Sequence, residues 1–507
     1  MAVRAVVRRS TYRDSMVLMR VAEALRARPG VREAAALMGT PANHELLASA
    51  GLATIDTKDA AAGDLMIAVL ADTEAAAEAG LAEAERILDE RRSAQAPAGQ
   101  PLPRTLDGAL RQMPDANLAA ISVPGAYAAF EAQRALRRGL HVFLFSDNVS
   151  LADEIALKRL AVERGLLCMG PDCGTAYIHG AGLGFANVVP RGRVGCVAAS
   201  GTGLQAVVSR LAALGEGVSH GLGVGGRDLS AEVGGVMTVV ALEALADDAA
   251  TEAIVLIGKP PAPEVVPRLE AAIARIAKPV VVCCLGARPA SAGAERWVGT
   301  LDDAAELVVA TLRGQAWSPR VFSDPAGVRA RLTRAARARL TRAARGTILG
   351  LYTGGTLAHE AGLVLEPLVG AGGYRVVDLG DDEFTRGRPH PMIDPEARAS
   401  RVRQAGDAPG VGVLLLDLVL GRAVHPDPAT PLAAAVSDAC RAAVAGGRDL
   451  VAVASVVGTD GDPQDRRRQV ATLEAAGVEV LPSNAQAARF AALLVRPELE
   501  RSLLEAP

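Results

Sequence analysis

Gly195-Cys196-Val197-Ala198-Ala199-Ser200-Gly201-Thr202-Gly203 is an apolar run that ends in a glycine-rich turn, and Ile348-Leu349-Gly350-Leu351-Tyr352-Thr353-Gly354-Gly355-Thr356 repeats the pattern later in the chain. Each reads as a strand giving way to a helix. The first N–H groups of a helix lack intrahelical acceptors and sit at the positive end of its dipole, so both turns are ready sites for phosphate or carboxylate. Two of them predict a protein that handles a phosphorylated or doubly anionic substrate.

Outward from these turns, short β-branched runs alternate with alanine-rich segments of helical period. This is the signature of parallel sheets covered by helices, and the fold class is α/β. The reading divides the chain into a small α/β domain over residues 1–95, a second over 114–190, a third over 191–320 that carries the first turn, and a last over 346–507 that carries the second. A loop rich in Pro, Gly and Gln separates the first two. Residues 321–345 read as a basic helical linker, because the octet Ala-Arg-Leu-Thr-Arg-Ala-Ala-Arg occurs twice in succession there with little apolar face.

Bulk properties exclude several functions. A net charge of −3, a pI near 6.2 and 3% aromatic residues give neither a basic field nor stacking platforms for nucleic acid. The longest apolar runs fall short of the roughly 20 residues of a membrane span, and no signal-peptide core follows Arg4, Arg8 and Arg9. The six cysteines lie mostly in apolar, strand-like runs without zinc or haem spacing, which reads as reduced core residues of a cytoplasmic protein.

The candidate site follows from chemistry. Ser200, Gly201, Thr202 and Gly203, with Gly354, Gly355 and Thr356, are the phosphate-binding candidates. The loop Gly225-Gly226-Arg227-Asp228 offers close backbone approach and a guanidinium fork for a carboxylate or phosphate. Lys259 ends an apolar strand, at the sheet edge where α/β ligands bind. His390, held among Pro389, Pro391 and Pro395, is a candidate general acid or base, with Arg388 beside it. Asn43 is a further substrate-binding candidate. No metal is expected, since Asp381 and Asp382 lack histidine ligands at metal spacing.

Residues 117–259 resemble the α subunit of succinyl-CoA synthetase through Met169-Gly170-Pro171-Asp172-Cys173-Gly174, Ser200-Gly201-Thr202, Gly223-Val224-Gly225-Gly226 and Ile254-Val255-Leu256-Ile257-Gly258. The half with Gly354-Gly355-Thr356 resembles the C-terminal domain of the β subunit. Over nearly its whole length the chain is similar to the FdrA family, through Met38-Gly39-Thr40-Pro41-Ala42-Asn43, Phe145-Ser146-Asp147-Asn148-Val149, Gly225-Gly226-Arg227-Asp228-Leu229-Ser230 and Gly387-Arg388-Pro389-His390-Pro391-Met392. The resemblance implies a CoA-binding-like Rossmann-type domain over 114–190 and flavodoxin-like domains over 191–320 and 346–507. It also implies either acyl-CoA synthesis or carbamoyl transfer from oxalurate in allantoin breakdown, with companion subunits and a homo-oligomer.

Departures from the relatives separate these. The relatives phosphorylate a histidine in a Gly-His-Ala-Gly segment, whereas Gly286-Ala287-Arg288-Pro289-Ala290-Ser291-Ala292-Gly293 has none. Lys259 replaces the glutamate that would hold that histidine, and no counterpart of the ATP-grasp region is seen. Arg8 to Ser15, taken as the turn after the first Rossmann strand, contains no glycine, which argues against CoA. The expectation is therefore a carbamoyltransferase that moves the group between carbamoyl phosphate and a small nitrogen acceptor such as oxamate, with phosphate or carbamoyl phosphate as ligand and Arg227, Lys259 and His390 as catalytic residues. The alternatives are a nucleoside-diphosphate-forming acyl-CoA synthetase, and a non-catalytic scaffold or ligand-sensing subunit.

Overall fold

The protein is described by a computed structural model over residues 1–505, except 12, 14, 27, 95–102, 288–295, 338–345 and 386–388. It divides into two units, the first comprising Met1–Pro114 with Asp381–Asp394, the second Asp115–Gly380 with Pro395–Pro507.

In the first unit, strands β1 (Ala2–Arg8) and β2 (Val31–Met38) flank β3 (Leu65–Ala71). β3 reads Leu-Met-Ile-Ala-Val-Leu-Ala, the unbroken apolar run that a strand covered on both faces needs. Leu65, Ile67 and Val69 pack with Leu18, Val21 and Leu25 of helix Ser15–Arg26 and with Ala77, Ala84 and Leu88 of helix Glu74–Ala94. Met66 and Ala68 face Leu47 and Leu52 instead. Both pairings of β3 are antiparallel, Ala2 lying opposite Ala71 and Met38 opposite Leu65. The alternation of elements thus gave the layers of this unit but misled on strand direction. Direction is set by which edge the chain returns to after each helix, and apolar periodicity carries no record of that.

The second unit contains three sheets. β4 (Leu118–Ile121), β5 (His141–Leu144) and β6 (Cys168–Met169) form a small parallel sheet in that order. β7 (Thr175–Ile178) and β8 (Ala181–Gly184) form a hairpin that the sequence reading passed over. Its two-residue turn, His179 at φ 51° and Gly180 at φ 81°, has the paired positive angles of a type I′ turn.

That hairpin edges a six-stranded sheet completed by β9 (Arg191–Ala198), β10 (Val218–Gly223), β11 (Ala253–Gly258) and β12 (Val280–Cys284), in the order β12-β11-β9-β10-β7-β8. β13 (Thr347–Tyr352), β14 (Tyr374–Asp378), β15 (Val411–Val419), β16 (Val451–Val457) and β17 (Glu479–Leu481) form a parallel sheet ordered β14-β13-β15-β16-β17. Among the parallel strands of each large sheet the chain starts in an inner strand, β9 or β13, adds the next strand on one side and the third on the other. The carboxyl ends of β9 and β11, and of β13 and β15, are therefore the switch points at which such sheets open a crevice.

Candidate functional site

At the first switch point β9 ends at Ala198 and helix Gly201–Ala213 begins. Ser200 is extended, as an N-cap must be, and its hydroxyl accepts the Gly203 N–H at 2.9 Å. The N–H groups of Gly201 and Thr202 have no acceptor among the described residues. Adjacent strands bring two other candidates alongside. Ala198 pairs with Ile257 of β11, so exposed Lys259 follows on one side. It also pairs with Gly223 of β10, so the Gly225–Asp228 loop follows on the other.

The second turn is built differently. Helix Gly355–Val369 has Gly354 as its N-cap, and a glycine offers no side-chain acceptor. Asp417 of β15 supplies one, accepting the Thr353 N–H at 2.9 and 3.1 Å, the Thr353 hydroxyl at 3.0 Å and the Gly354 N–H at 2.9 Å. Arg398 closes the arrangement, donating to the Asp417 carboxylate at 2.8 Å and to its carbonyl at 2.7 Å. Asp417 is 0% and Arg398 3% exposed, so the two charges compensate each other with no help from solvent. Burial raises the Asp417 pKa while Arg398 and the N–H donors oppose the rise. Of the candidates in this turn, Gly354 thus gives its N–H to an internal carboxylate, and Gly355 and Thr356 keep the turn's remaining donors.

The two turns meet. Ser200 Oγ and Thr356 Oγ1 share a hydrogen bond of 2.5 Å. A Cβ on Gly354 would lie 2.9 Å from the Thr202 side chain, and one on Gly355 2.3 Å from Asp378 Oδ2. These glycines are needed for close approach between elements, a reason the sequence could not separate from room for a ligand.

Other expected site residues have structural duties. Asp228 is 0% exposed, and its two oxygens accept from Lys158 Nζ, from the Met237 and Thr238 N–H groups and from the Thr238 hydroxyl. It caps helix Val236–Asp247 and has no oxygen to spare for substrate. Lys158, 1% exposed, also pairs with Glu154 at 2.7 Å. Burial works against its charge, but Asp228 and Glu154 outweigh that and raise its pKa. Arg227 donates to the Val149 carbonyl at 2.8 Å and lies 2.8 Å from Glu154 Oε2, which ties its guanidinium to the start of helix Leu151–Glu163. Gly226 is exposed, and a Cβ there would meet nothing within 4 Å. Gly225, at φ 86°, sits against Pro171.

Asn43 and His390 belong to the first unit. Asn43 donates to the Met38 carbonyl at 2.8 Å. His390 accepts the Met392 N–H at Nδ1, and loss of hydration pushes its pKa down to about 4. Of the two roles expected of it, acid or base, an imidazole held neutral at neutral pH is suited only to accepting a proton. Arg388, most of the histidine-free segment 286–293 and the second basic octet lie outside the described residues.

The sequence reading missed Asp417, Arg398 and His359. Asp417 interrupts an apolar strand, and no local signal in the sequence marks Arg398. His359 follows the second turn by one helical turn. Burial and nearby Lys259 lower its pKa while the Leu285 carbonyl works the other way, and its Nε2 is buried without a partner. The argument against CoA from Arg8–Ser15 also falls, because β1 lies in an antiparallel sheet and is not a Rossmann strand. In the parallel β4-β5-β6 sheet the turn after β4 reaches Gly125, where a Cβ would lie 2.3 Å from the Asp147 carbonyl oxygen. That turn is closed by the protein's own backbone.

Residues 351–494 match the CoA-ligase family and residues 1–102 match AllF, heavy metal-associated domain. The first 167 residues contain no cysteine, and no group of three or more His, Cys, Asp or Glu poised to hold an ion occurs among the described residues. The chain is 30% identical over 165 residues to subunit alpha 2 of the ADP-forming succinate–CoA ligase of Archaeoglobus fulgidus, covering 32% of this chain and 56% of that one. Among solved structures it is similar to PH0766 from Pyrococcus horikoshii OT3, with TM-score 0.35 and 16% identity over 80% of this chain and 88% of that one. No helix among the described residues is long and apolar enough to cross a membrane. With the uncharacterized protein YahF of Escherichia coli (strain K12), it shares 39% identity over 96% of this chain and 97% of the other, so it belongs to the same FdrA-like, acyl-CoA synthetase-like family.

Proposed function

We propose that this chain is a CoA-ligase-type group-transfer enzyme that holds the phosphate of an acyl phosphate at the two abutting helix N-termini and passes the acyl group to an acceptor. The observation that supports this reading is the contact of Ser200 with Thr356, which brings two dipole-backed helix N-termini, each suited to an anion, side by side. The N–H groups of Gly201, Thr202, Gly355 and Thr356 hold the phosphate oxygens, and Lys259 adds a cation. The acceptor attacks the acyl carbon, the carbon–oxygen bond to phosphate breaks, and phosphate leaves with the electron pair while the acceptor's proton passes to phosphate or solvent. The fixed N–H donors stabilise charge as it builds on the leaving oxygen, each worth about 3 kcal/mol in a site of this kind. The likeness to succinate–CoA ligase alpha subunits supports a thiol acceptor, and His359 is the residue on which an unconventional phosphoryl relay would rest.

One observation favours a second reading, transfer of a carbamoyl group from carbamoyl phosphate to a small nitrogen acceptor such as oxamate. At Gly125, in the turn where a CoA pyrophosphate would approach the backbone, the Asp147 and Asn148 backbone already packs so close that an added Cβ would lie 2.3 Å from the Asp147 carbonyl oxygen. One experiment separates the two. Purified protein is given acetyl, succinyl or carbamoyl phosphate with either CoA or oxamate, and phosphate release is followed. Release dependent on CoA supports the first reading and release dependent on oxamate the second. Acceptor-independent release, or none, with Gly201→Pro indistinguishable from the parent, defeats both and leaves the scaffold role.

A further inference from the structure

The small sheet β4-β5-β6 has an open edge. Among the described residues β4 pairs with β5 alone, so one row of its backbone N–H and C=O groups has no strand beside it. The edge strands β1, β2, β14 and β17 each carry a charged side chain, the usual guard against pairing with another chain. β4, Leu118-Ala119-Ala120-Ile121, carries none.

Helix Gly125–Arg137 links β4 to β5, and helix Leu151–Glu163 links β5 to β6. Right-handed crossovers put both on one face of the sheet, the first over β4 and β5 and the second over β5 and β6. Ala128, Ala132, Ala135 and Leu136 form the buried stripe of the first helix. A right-handed helix running back along β4 then turns Ala129 and Gln133 toward the neighbouring helix, and Tyr127, Glu131 and Arg134 toward the open edge. Tyr127 is 66% and Phe130 62% exposed, in a chain with only 3% aromatic residues. Arg134 lies over the Phe130 ring at 5.5 Å and pairs with Glu131 at 3.2 Å, so two aromatic rings, a cation and an anion share one outward surface.

We propose that a second copy of this chain pairs with β4 edge to edge, about a two-fold axis normal to the sheet, giving a six-stranded sheet with the two Gly125–Arg137 helices side by side. Spacing supports this arrangement. A helix lying over β4 and β5 is half a strand spacing inside β4, and the axis is half a spacing outside it. With strands about 4.8 Å apart, the two helices run about 9.6 Å from each other, within the 8–10 Å of packed helices. Charge fits as well. The axis makes the helices antiparallel, and the helix begins just past the end of β4 and runs back along it, so the pair centres near Phe130 and Glu131. Tyr127 then faces Arg134 of the second copy, a ring against a cation, and Glu131 of each copy has an arginine of the other within reach. β4 meets its own copy with Leu118 opposite Ile121 and Ala119 opposite Ala120, and no charge is buried in the join.

The test is sedimentation velocity of the full chain, 52.1 kDa, over a concentration range of about 1 to 100 µM. A reversible monomer–dimer equilibrium in the micromolar range is expected, because the contact consists of one 13-residue helix and a short strand. Amide exchange at Leu118–Ile121 should slow as the dimer fills. Tyr127→Lys sets a cation against Arg134 of the second copy and should raise the dissociation constant roughly tenfold or more. Ala120→Lys, at an exposed position, guards the edge and should do the same, which keeps the test open should the first variant fail to fold by circular dichroism. A chain that stays monomeric throughout leaves the edge to another partner and overturns the proposal. So does a dimer in which exchange at β4 is unchanged, or one whose dissociation no folded variant alters. Phosphate release enters none of these measurements, so their outcome is separate from that of the acyl-phosphate reading.

Discussion

The two glycine-rich turns are near copies in sequence and opposites in use. Three residues before each N-cap stand Val197 and Leu351, paired across their sheets with Leu256 and Leu416. The next residues along those neighbouring strands are Ile257 and Asp417. Ile257 packs its side chain close under Gly203, leaving the N–H groups of Gly201 and Thr202 to face outward. Asp417 instead places a carboxylate where an anion would sit and takes two N–H groups for itself. The same difference continues one turn along the helices, where Ala206 in the first corresponds to buried Glu360 in the second. One turn is thus held open by an apolar neighbour and its own serine cap. The other is held together by an internal anion, and its rigidity comes at the expense of half its donors.

The strongest way to break this comparison is Asp417→Ala. It strands Arg398 as an unpaired buried charge and orphans the Thr353 and Gly354 N–H groups, and is expected to cost about 3–5 kcal/mol. Ser200→Ala, which removes only a side-chain cap at the other turn, should cost about 1 kcal/mol. Denaturant midpoints of the two variants check this. Equal losses would mean that Asp417 is a surrogate ligand in appearance only.

Gly201→Pro probes the open turn. Proline is well tolerated at the first helical position and Ser200 is already extended, as a residue before proline must be. A Cβ at residue 201 would meet its nearest neighbour, Gly174 Cα, at 3.6 Å, an ordinary contact. The substitution deletes one N–H and keeps the helix. Turnover with an acyl phosphate should fall by roughly 100-fold while the denaturation midpoint stays nearly unchanged. A matching loss of stability would show that the N–H has a structural duty.

Glu360 makes the second helix sensitive to pH. Burial raises its pKa to about 7, against the hydrogen bonds it accepts from the Leu301 N–H and Asn484. The folded state therefore holds a proton that the unfolded chain releases near pH 4.5. The associated stability is complete below that value and is lost as pH rises through about 7, a change of about 3 kcal/mol at most. Asp303, raised to about 6 by burial, acts in the same direction. Between pH 4.5 and 7 the midpoint of Glu360→Gln should fall less steeply than that of the parent, the difference between the two curves being the contribution of Glu360. Ala206→Gly on the first helix should leave the slope untouched.

How much of this was legible in the sequence differs by element. The strand-to-helix turns at Ser200 and Gly354 and the α/β class were readable, because glycine after an apolar run and apolar periodicity are local signals. That the two turns meet was not, since it depends on Thr202 packing into the space above Gly354 across 152 residues of chain. Asp417 was invisible for a related reason. One acid inside Val411–Val419 looks like a flaw in a strand until its partners Thr353 and Arg398 are brought to it by the fold. Asp228 misled in the other direction, since the carboxylate of a Gly-Gly-Arg-Asp loop reads as ligand grip whether it faces a substrate or, as here, Lys158. The direction of strands in the first unit was lost because layers leave a periodic trace and connections do not.

The smallest expected effect bears on the join itself. Ser200 Oγ and Thr356 Oγ1 form one hydrogen bond between hydroxyls, with Ser200 also accepting from Gly203. A double-mutant cycle with Ser200→Ala and Thr356→Val isolates the link from the capping role, because the cap term appears in both arms and cancels. A coupling of about 1 kcal/mol in denaturation midpoints is expected for a neutral, partly buried pair. If the coupling appears in phosphate affinity but not in stability, the two turns come together only around an anion. If it appears in stability alone, the contact is a weld between the two helices, and the open donors of Gly201 and Thr202 are by themselves the anion site.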